Sequence, residues 1–263
     1  MSRHVVTPWI LGALLLASPL LVMSPAAQAN TASVQQQALQ TLQELETVSY
    51  RAATSFYLYN VLNRDPQHFR KMQNQLQAGD ALIPQVGNPA LVSKWAALKR
   101  TCTSARFTAE GVADNDSVNA VDGALNALVG DIRTLMTEQR TAGQLGSDKM
   151  ADMIYEQYVL MQVMTAAYLR ISADYFGGAI VASQGPQVEI DKLADKFSEQ
   201  LMQLNRHYAK NAKVTPLLRD VTTKWVFIRN SFKNFNENNV PFVVGRYNEQ
   251  ITEKLLQAHA AVR

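Results

Sequence analysis

Residues 214–235 read VTPLLRDVTTKWVFIRNSFKNF, and this stretch decides the fold. Its apolar residues recur in alternating steps of four and three, at Val214, Leu218, Val221, Trp225, Ile228, Phe232 and Phe235. This spacing puts all of these side chains on one face of a helix, as a seam that packs against other helices. We therefore predict a buried helical face with Trp225 near its centre.

The same seam occurs earlier in the chain, 123 residues upstream at every position. Its members are Leu91, Trp95, Leu98, Cys102, Ala105, Ala109 and Val112. The segments that follow the two seams keep the offset, and pair Val121, Leu128, Ile132 and Leu135 with Val244, Ile251, Leu255 and Ala258. A fixed offset over two successive helices indicates an internal duplication.

Amphipathic segments of helical period fill the rest of the chain, and no alternating run typical of a strand occurs. Prolines and polar turns divide them into eight predicted helices, at about residues 30–63, 66–82, 89–112, 117–139, 148–181, 187–210, 215–235 and 241–263. We expect Asn88, Ser117 and Thr215 to cap the third, fourth and seventh of these helices. Pro84 should lie beyond the end of the second helix, because proline disrupts a helix interior.

Short links make successive helices antiparallel, and four such helices can close a core as an up-and-down bundle. The two glycines within residues 141–147 mark the boundary between two halves. The sequence therefore predicts an all-α protein, a duplicated antiparallel four-helix bundle with its bundles at residues 30–141 and 147–263. A single body of eight helices is the alternative.

The N-terminus has the three parts of a secretory signal peptide. Arg3 is basic, residues 9–23 are apolar, and Ala27-Gln28-Ala29 forms an A-x-A cleavage site. A membrane span needs about 20 apolar residues, and this run is shorter and interrupted by Pro19, which favours cleavage over an uncleaved anchor. We expect residues 1–29 to be removed and the mature protein to be soluble in a bacterial periplasm.

Composition argues against several functions. The chain has 25 Lys and Arg against 22 Asp and Glu, in mixed order, so we expect no nucleic-acid binding. Cys102 is the only cysteine, which favours a buried apolar role over a disulfide or a redox role. The histidines lack the spacing of metal ligands, and no catalytic motif occurs. We expect no enzyme activity, cofactor or metal.

Arg51 is the candidate ligand-binding residue, with Tyr50 beside it. Arg51 lies at the edge of the apolar stripe of the first helix, where a guanidinium presents five donors to a small oxyanion. A tyrosine of the fifth predicted helix is the expected neighbour. The alternative is an arginine whose stem packs against the core while its charged head reaches water.

The chain also resembles a known family. The exported long helices, the tryptophan of the third helix, and Val240-Pro241-Phe242-Val243-Val244 with Tyr247 and Ile251 resemble the periplasmic sensor module of PilJ-like type IV pilus chemotaxis transducers and NarX-like nitrate sensor kinases. The resemblance covers each half. It implies that Ser49-Tyr50-Arg51 matches the Ser-Gln-Arg ending of that family's first helix, where an arginine binds an anion at a dimer interface.

The second half has Met161-Gln162-Val163 at that place and no arginine, so we expect one site per chain or one formed across a homodimer. The resemblance implies a free sensor module that captures a small polar or anionic ligand and docks on a membrane receptor or signalling protein. The alternative is a ligand-free bundle that binds another protein through a helix face. A pocket at Arg51 would favour the first function, and an exposed apolar stripe would favour the second.

Cleavage at the A-x-A site predicts that N-terminal sequencing of the exported protein begins at Asn30, because signal peptidase cuts after the second small residue. Recovery of the protein from the membrane fraction with residues 1–29 still attached would instead show an uncleaved anchor.

Overall fold

A computed structural model describes residues 25–142, 148–174, 189–235 and 239–262, with side chains from residue 34 onward. These residues form eight helices, with one isolated bridge between Phe107 and Ala113. The helices are α1 (Pro25–Val61), α2 (Pro66–Val86), α3 (Pro89–Thr103), α4 (Asn115–Ala142), α5 (Lys149–Ala173), α6 (Ile190–His207), α7 (Thr215–Lys233) and α8 (Pro241–Val262). Residues 1–24, which hold most of the predicted signal peptide, lie outside the described residues.

The helices form two four-helix rings. In the first ring each helix packs against the next, and α4 closes the ring on α1; α5 to α8 repeat this order in the second. The prediction of an all-α protein with two bundles is therefore confirmed. Their predicted boundary falls mainly on residues 143–147, outside the described part of the chain, so the exact division stays a prediction.

The two rings join through α1 and α5, which lie side by side. The helices run parallel, since Tyr155 bonds Glu46 near one end and Asn60 bonds the carbonyl of Ala173 near the other. The buried apolar residues of both rings form one continuous core through this contact. Nearly every side chain of α1 between residues 45 and 60 is buried, because α1 is covered by α2, α4 and α5 at once.

The predicted seams are buried in both halves over most of their length. Trp225 is 3% exposed. The equivalent residues Leu98 and Val221 are both fully buried, and so are the equivalent residues Ile132 and Leu255. The correspondence ends early because α3 stops at Thr103, so the expected helix to residue 112 was wrong. Residues 104–114 instead form a turn in which Gly111 has φ 89°, a left-handed conformation that glycine adopts without strain.

Two predicted helix ends were also wrong. α2 continues through Pro84 to Val86 and is capped by Gly87, which has φ 65° and donates its N–H to the carbonyl of Ile83 at 3.4 Å. One proline near a helix end costs a single hydrogen bond, and the left-handed glycine provides the stop. α6 ends at His207, because Tyr208 begins a turn that Asn211 closes with its N–H.

The predicted caps are partly confirmed. Asn88 caps α3, because its side chain accepts hydrogen bonds from the backbone N–H groups of Ala90 and Leu91. At α4 the cap is Asp114, which accepts from the Ser117 N–H at 2.8 Å, while the Ser117 hydroxyl accepts from the N–H of Arg106. Thr215 does not cap α7 either, because its hydroxyl donates to the carbonyl of Tyr208 at 2.6 Å.

The fifth helix ends at Ala173, because Asp174 has an extended backbone and donates its N–H to the carbonyl of Ile171 at 3.3 Å, so the expected continuation of this helix to residue 181 was wrong. Residues 175–181 themselves lie outside the described residues. Among the described helices, none has a run both long and apolar enough to span a membrane.

The contact between α2 and α3 at Gly79 provides a test of the fold. A Cβ at Gly79 would lie 2.1 Å from Cζ2 of Trp95, whose indole N–H is held by Asp80 at 2.9 Å. We expect Gly79→Ala to lower the free energy of unfolding by about 1–3 kcal/mol, because the ring has to move in a packed core. The measurement is equilibrium denaturation by urea.

Gly130→Ala is the matched control, since no atom lies within 4 Å of a Cβ built at Gly130 in α4. Alanine should stabilise that helix by up to about 1 kcal/mol. Equal effects of the two substitutions would contradict the packing of Trp95 on Gly79.

Candidate functional site

Helices α1, α5 and α8, which pack together, contain many buried polar side chains. They are Thr41, Gln43, Glu46, Thr47, Ser49, Thr54, Ser55 and Asn60 of α1, Gln157, Gln162 and Thr165 of α5, and Asn248, Thr252 and His259 of α8. Buried polar groups are normally hydrogen-bonded, so each needs a partner or an explanation. Thr47 and Ser49 donate to carbonyls one turn earlier in α1.

Glu46 is the centre of one network. Its side chain is fully buried and accepts from Nε of Arg133 on α4 and from the hydroxyl of Tyr155 on α5, each at 2.7 Å. Arg133 also donates to the hydroxyl of Tyr50 at 2.9 Å. The network therefore ties α1, α4 and α5 together, and the guanidinium supplies the positive charge that a buried carboxylate requires.

Tyr50, one of the two residues predicted to bind a ligand, belongs to this network. It is 4% exposed, and burial raises the pKa of its hydroxyl well above the usual range. Tyr50 is therefore a neutral phenol that accepts a hydrogen bond from Arg133. Its role in ligand binding stays a prediction.

Arg51, the other predicted residue, belongs to a different side of α1, because successive helical residues point about 100° apart. It is half-buried and lies near Tyr158 of α5. Burial raises the pKa of Tyr158 to about 12, and the Thr47 hydrogen bond and the Arg51 charge only partly oppose this rise. The tyrosine neighbour expected from the fifth helix is thus Tyr158.

Arg51 has no hydrogen bond or ion pair with the described part of the chain. Every other half-buried arginine or lysine in those residues has one or more. The pairs are Lys71–Glu249, Lys94–Asp131, Arg140–Asp152, Arg170–Asn119, Lys224–Asp220, Lys233–Asp195 and Lys254–Gln257. Arg51 is therefore a half-buried cation without a counter-ion among the described residues, whereas charged side chains that leave water are normally paired.

The side of α1 that carries Arg51 faces α8. Leu58, two turns further along that side, contacts α8 so closely that a Cβ at Gly245 would lie 2.7 Å from its Cδ1. Thr54 lies between Leu58 and Arg51, one turn from each, and its buried hydroxyl has no hydrogen-bond partner.

α5 and α8 contribute further polar groups to the same interface. Gln162 donates to the hydroxyl of Tyr158 at 3.1 Å and accepts from Asn248 of α8 at 3.4 Å. The hydroxyl of Thr165 and Oδ1 of Asn248 are buried and have no partner. We call Arg51, Thr54, Tyr158, Gln162, Thr165 and Asn248 the Arg51 site.

The Arg51 site combines one unpaired cation with unpaired hydroxyl and amide oxygen atoms. The guanidinium and the hydroxyls can donate to an anion, while Asn248 can accept from a hydrogen-bearing group. Sequence reasoning identified Arg51 but missed Thr54, Thr165 and Asn248. The helical spacing of Tyr158, Gln162 and Thr165 was a signal that could have indicated a polar face on α5.

The single cysteine behaves as the sequence predicts. Cys102 is 3% exposed, and burial raises the pKa of its thiol to about 12, which leaves it uncharged and unreactive at neutral pH. Among the described residues, no three His, Cys, Asp or Glu side chains lie together in an arrangement able to hold a metal ion.

No protein-family model matches this chain, and no curated protein or solved structure matches it significantly. The resemblance to PilJ-like and NarX-like sensor modules therefore stays a hypothesis based on the sequence pattern.

The Glu46 network predicts an asymmetry between two substitutions. Arg133→Met should lower the free energy of unfolding by roughly 3 kcal/mol, because it leaves a fully buried carboxylate without its cation. Glu46→Gln should cost less, since the remaining Arg133 side chain is 43% exposed and can be solvated. Urea denaturation of both variants measures the difference.

Arg140→Met is the control, because Arg140 and Asp152 form a more open pair at 3.5 Å. That substitution should change the stability by less than about 1 kcal/mol. If Arg133→Met were as mild as the control, the Glu46 network would not hold the three helices together.

Proposed function

We propose that this protein is a sensor-like helical bundle of the periplasm that binds a small anionic or polar ligand at the Arg51 site and docks on a membrane signalling partner. The observation that carries the proposal is the state of Arg51, a half-buried cation with no counter-ion among the described residues. A bound carboxylate or other oxyanion would supply the missing negative charge.

Two physical effects favour an anion at this position. A charge-assisted hydrogen bond is stronger where water is partly excluded, as it is beside the buried ring of Tyr158. The unpaired hydroxyls of Thr54 and Thr165 could bond the ligand in addition, which would remove their desolvation cost.

The location of the site suggests how binding could be transmitted. Arg51 and Thr54 belong to the first ring, whereas Tyr158, Thr165 and Asn248 belong to the second. A ligand held by both rings would favour the arrangement in which the two sets of groups are close together. The resemblance to periplasmic sensor modules, in which an arginine of the first helix binds an anion, supports the same function.

A second function, binding of another protein, is favoured by a different surface. Val226 and Phe227 of α7 and Phe242 of α8 are more than half exposed, at 69%, 64% and 51%. Phe227 stacks on Tyr247 with ring centroids 4.8 Å apart. Positions 123 residues earlier hold Thr103, Ser104 and Asn119, so the equivalent positions of the first half do not carry this apolar face. This face of α7 and α8 suits a protein partner.

The ligand-binding function can be tested by thermal shift of the mature protein with nitrate, phosphate, acetate and citrate. A ligand that binds only the native state raises the melting temperature, and the shift grows with the logarithm of the ligand concentration once that concentration exceeds Kd. We expect at least one anion to do so in the parent protein and Arg51→Gln to abolish the effect. The Arg51→Gln fold should be intact, because Arg51 is not part of an apolar seam.

Arg219→Gln is the matched control, since Arg219 is an exposed arginine of α7 far from the site in sequence. Arg219→Gln should keep the full ligand-induced rise in melting temperature, because it removes the same charge from a surface position outside the Arg51 site. If an anion stabilised the parent and Arg51→Gln equally, Arg51 would only be a surface-reaching arginine, and the protein-binding function would become the better proposal.

A further inference from the structure

The side of α7 that faces away from the core carries exposed apolar and basic residues. Val226 and Phe227 are 69% and 64% exposed, although the seam on the opposite side of the same helix is buried. Phe227 stacks on Tyr247 of α8 with ring centroids 4.8 Å apart, which supports its ring at the surface. Arg219 precedes this apolar pair along the helix and Arg229 follows it, and both are exposed. We call Arg219, Val226, Phe227 and Arg229 the α7 face.

The α7 face has an excess of positive charge. α7 contains one acidic side chain and four basic ones, which are Arg219, Lys224, Arg229 and Lys233. Lys224 is paired with Asp220, the single acid, and Lys233 holds Asp195 of α6 at 2.6 Å. Arg229 has only a 3.9 Å contact with the same Asp195, and the side chain of Arg219 has no ion pair or hydrogen bond with the described residues. The two exposed arginines are therefore available to carboxylates from outside the chain.

The composition of the α7 face is typical of a protein interface. Aromatic and arginine side chains are enriched at the centres of interfaces, where they contribute most of the binding energy, whereas lysine and glutamate are depleted. The exposed charges of α7 are both arginines, while its lysines are half-buried in ion pairs. A guanidinium group also matches the two oxygen atoms of a carboxylate, with which it forms paired hydrogen bonds.

We propose that the α7 face binds an acidic helical segment of another protein, which places an apolar side chain on Phe227 and carboxylates on Arg219 and Arg229. This inference rests on the second function, binding of another protein, and specifies the partner. A helix suits the exposed side of α7, because the side chains of two helices interdigitate.

The spacing of the arginines defines the partner further. Arg219 and Arg229 are ten positions apart in the sequence, which corresponds to roughly 15 Å along a helix. A partner helix lying along α7 therefore needs carboxylates about ten residues apart, with apolar side chains between them.

Two other occupants fit the α7 face less well. In a two-fold dimer of this chain the same patch lies on both sides of the contact, so arginines would face arginines and repel each other. A membrane surface is bound by a helix whose main apolar side enters the lipid, but the apolar seam of α7 is buried in the core. This leaves Val226 and Phe227 as the exposed large apolar residues of α7.

The test is fluorescence anisotropy of labelled peptides titrated with the mature protein. The probe is a helical peptide of about 20 residues, with leucines along one side and glutamates at ten-residue spacing beside them on a background of alanine and glutamine. Two matched peptides carry lysine or glutamine in place of each glutamate. We expect the glutamate peptide to bind, the glutamine peptide to bind roughly fivefold more weakly, and the lysine peptide not to bind. Added salt should weaken binding of the glutamate peptide, because it screens exposed charges.

Phe227→Ser is the decisive variant. Its affinity for the glutamate peptide should fall roughly tenfold or more, as expected for an aromatic anchor, while urea denaturation should show an intact fold because Phe227 is exposed. Val226→Ser, at a still more exposed position, should also weaken binding. Arg219→Gln and Arg229→Gln should each weaken it about two- to fivefold and reduce its salt dependence.

Val92→Ser is the matched control. Val92 is 47% exposed on α3, which has the place of α7 in the first ring, so this variant should bind the glutamate peptide like the parent. Arg51→Gln should also leave peptide binding unchanged, and Arg219→Gln should leave the anion-induced rise in melting temperature unchanged. The α7 face and the Arg51 site can therefore fail separately.

The proposal is overturned if the glutamate peptide does not bind, or if Phe227→Ser and Val226→Ser both keep the full affinity. It is equally overturned if the parent forms a dimer that Phe227→Ser abolishes, or if it binds phosphatidylglycerol vesicles through Phe227 more tightly than the peptide. Equal binding of all three peptides would reject the acidic partner and retain the second function.

Discussion

The packing of α1 against α5 is the constraint on which the rest of the structure depends. Each helix is the first of its ring, and each is covered by helices of its own ring and of the other. A helix without a solvent face has to satisfy its polar side chains internally. Glu46 does so through Arg133 and Tyr155, and Asn60 through the backbone of Ala113 and Ala173. The polar side chains thereby fix how the two rings meet.

Local sequence patterns predicted the elements that local forces determine. The seam of α7 and the Asn88 cap of α3 depend on residues a few positions apart, and both appear in the structure as expected. The end of α3 could not be predicted in this way. It depends on Ser117, eleven residues after Arg106, accepting the N–H that a longer helix would have bonded internally, and on the left-handed turn at Gly111.

The candidate sites could be predicted only in part for the same reason. Arg51 can be recognised in the sequence because it is a charged residue at the edge of an apolar stripe. Its lack of a counter-ion is not visible, since this depends on which carboxylates α5 and α8 bring near it. Glu46 and Arg133 are 87 residues apart, and no periodicity relates them.

Joining two similar rings through parallel first helices also sets up two matching contacts between the rings. α1 packs against α5 and touches α8, and α5 in turn touches α4. In the first contact, Arg51 of α1 lies near Tyr158 of α5 and has no counter-ion among the described residues. In the second, Arg170 of α5 donates a hydrogen bond to Asn119 of α4. An internal duplication would create both contacts at once, and their side chains could then diverge because each contact takes its residues from different halves.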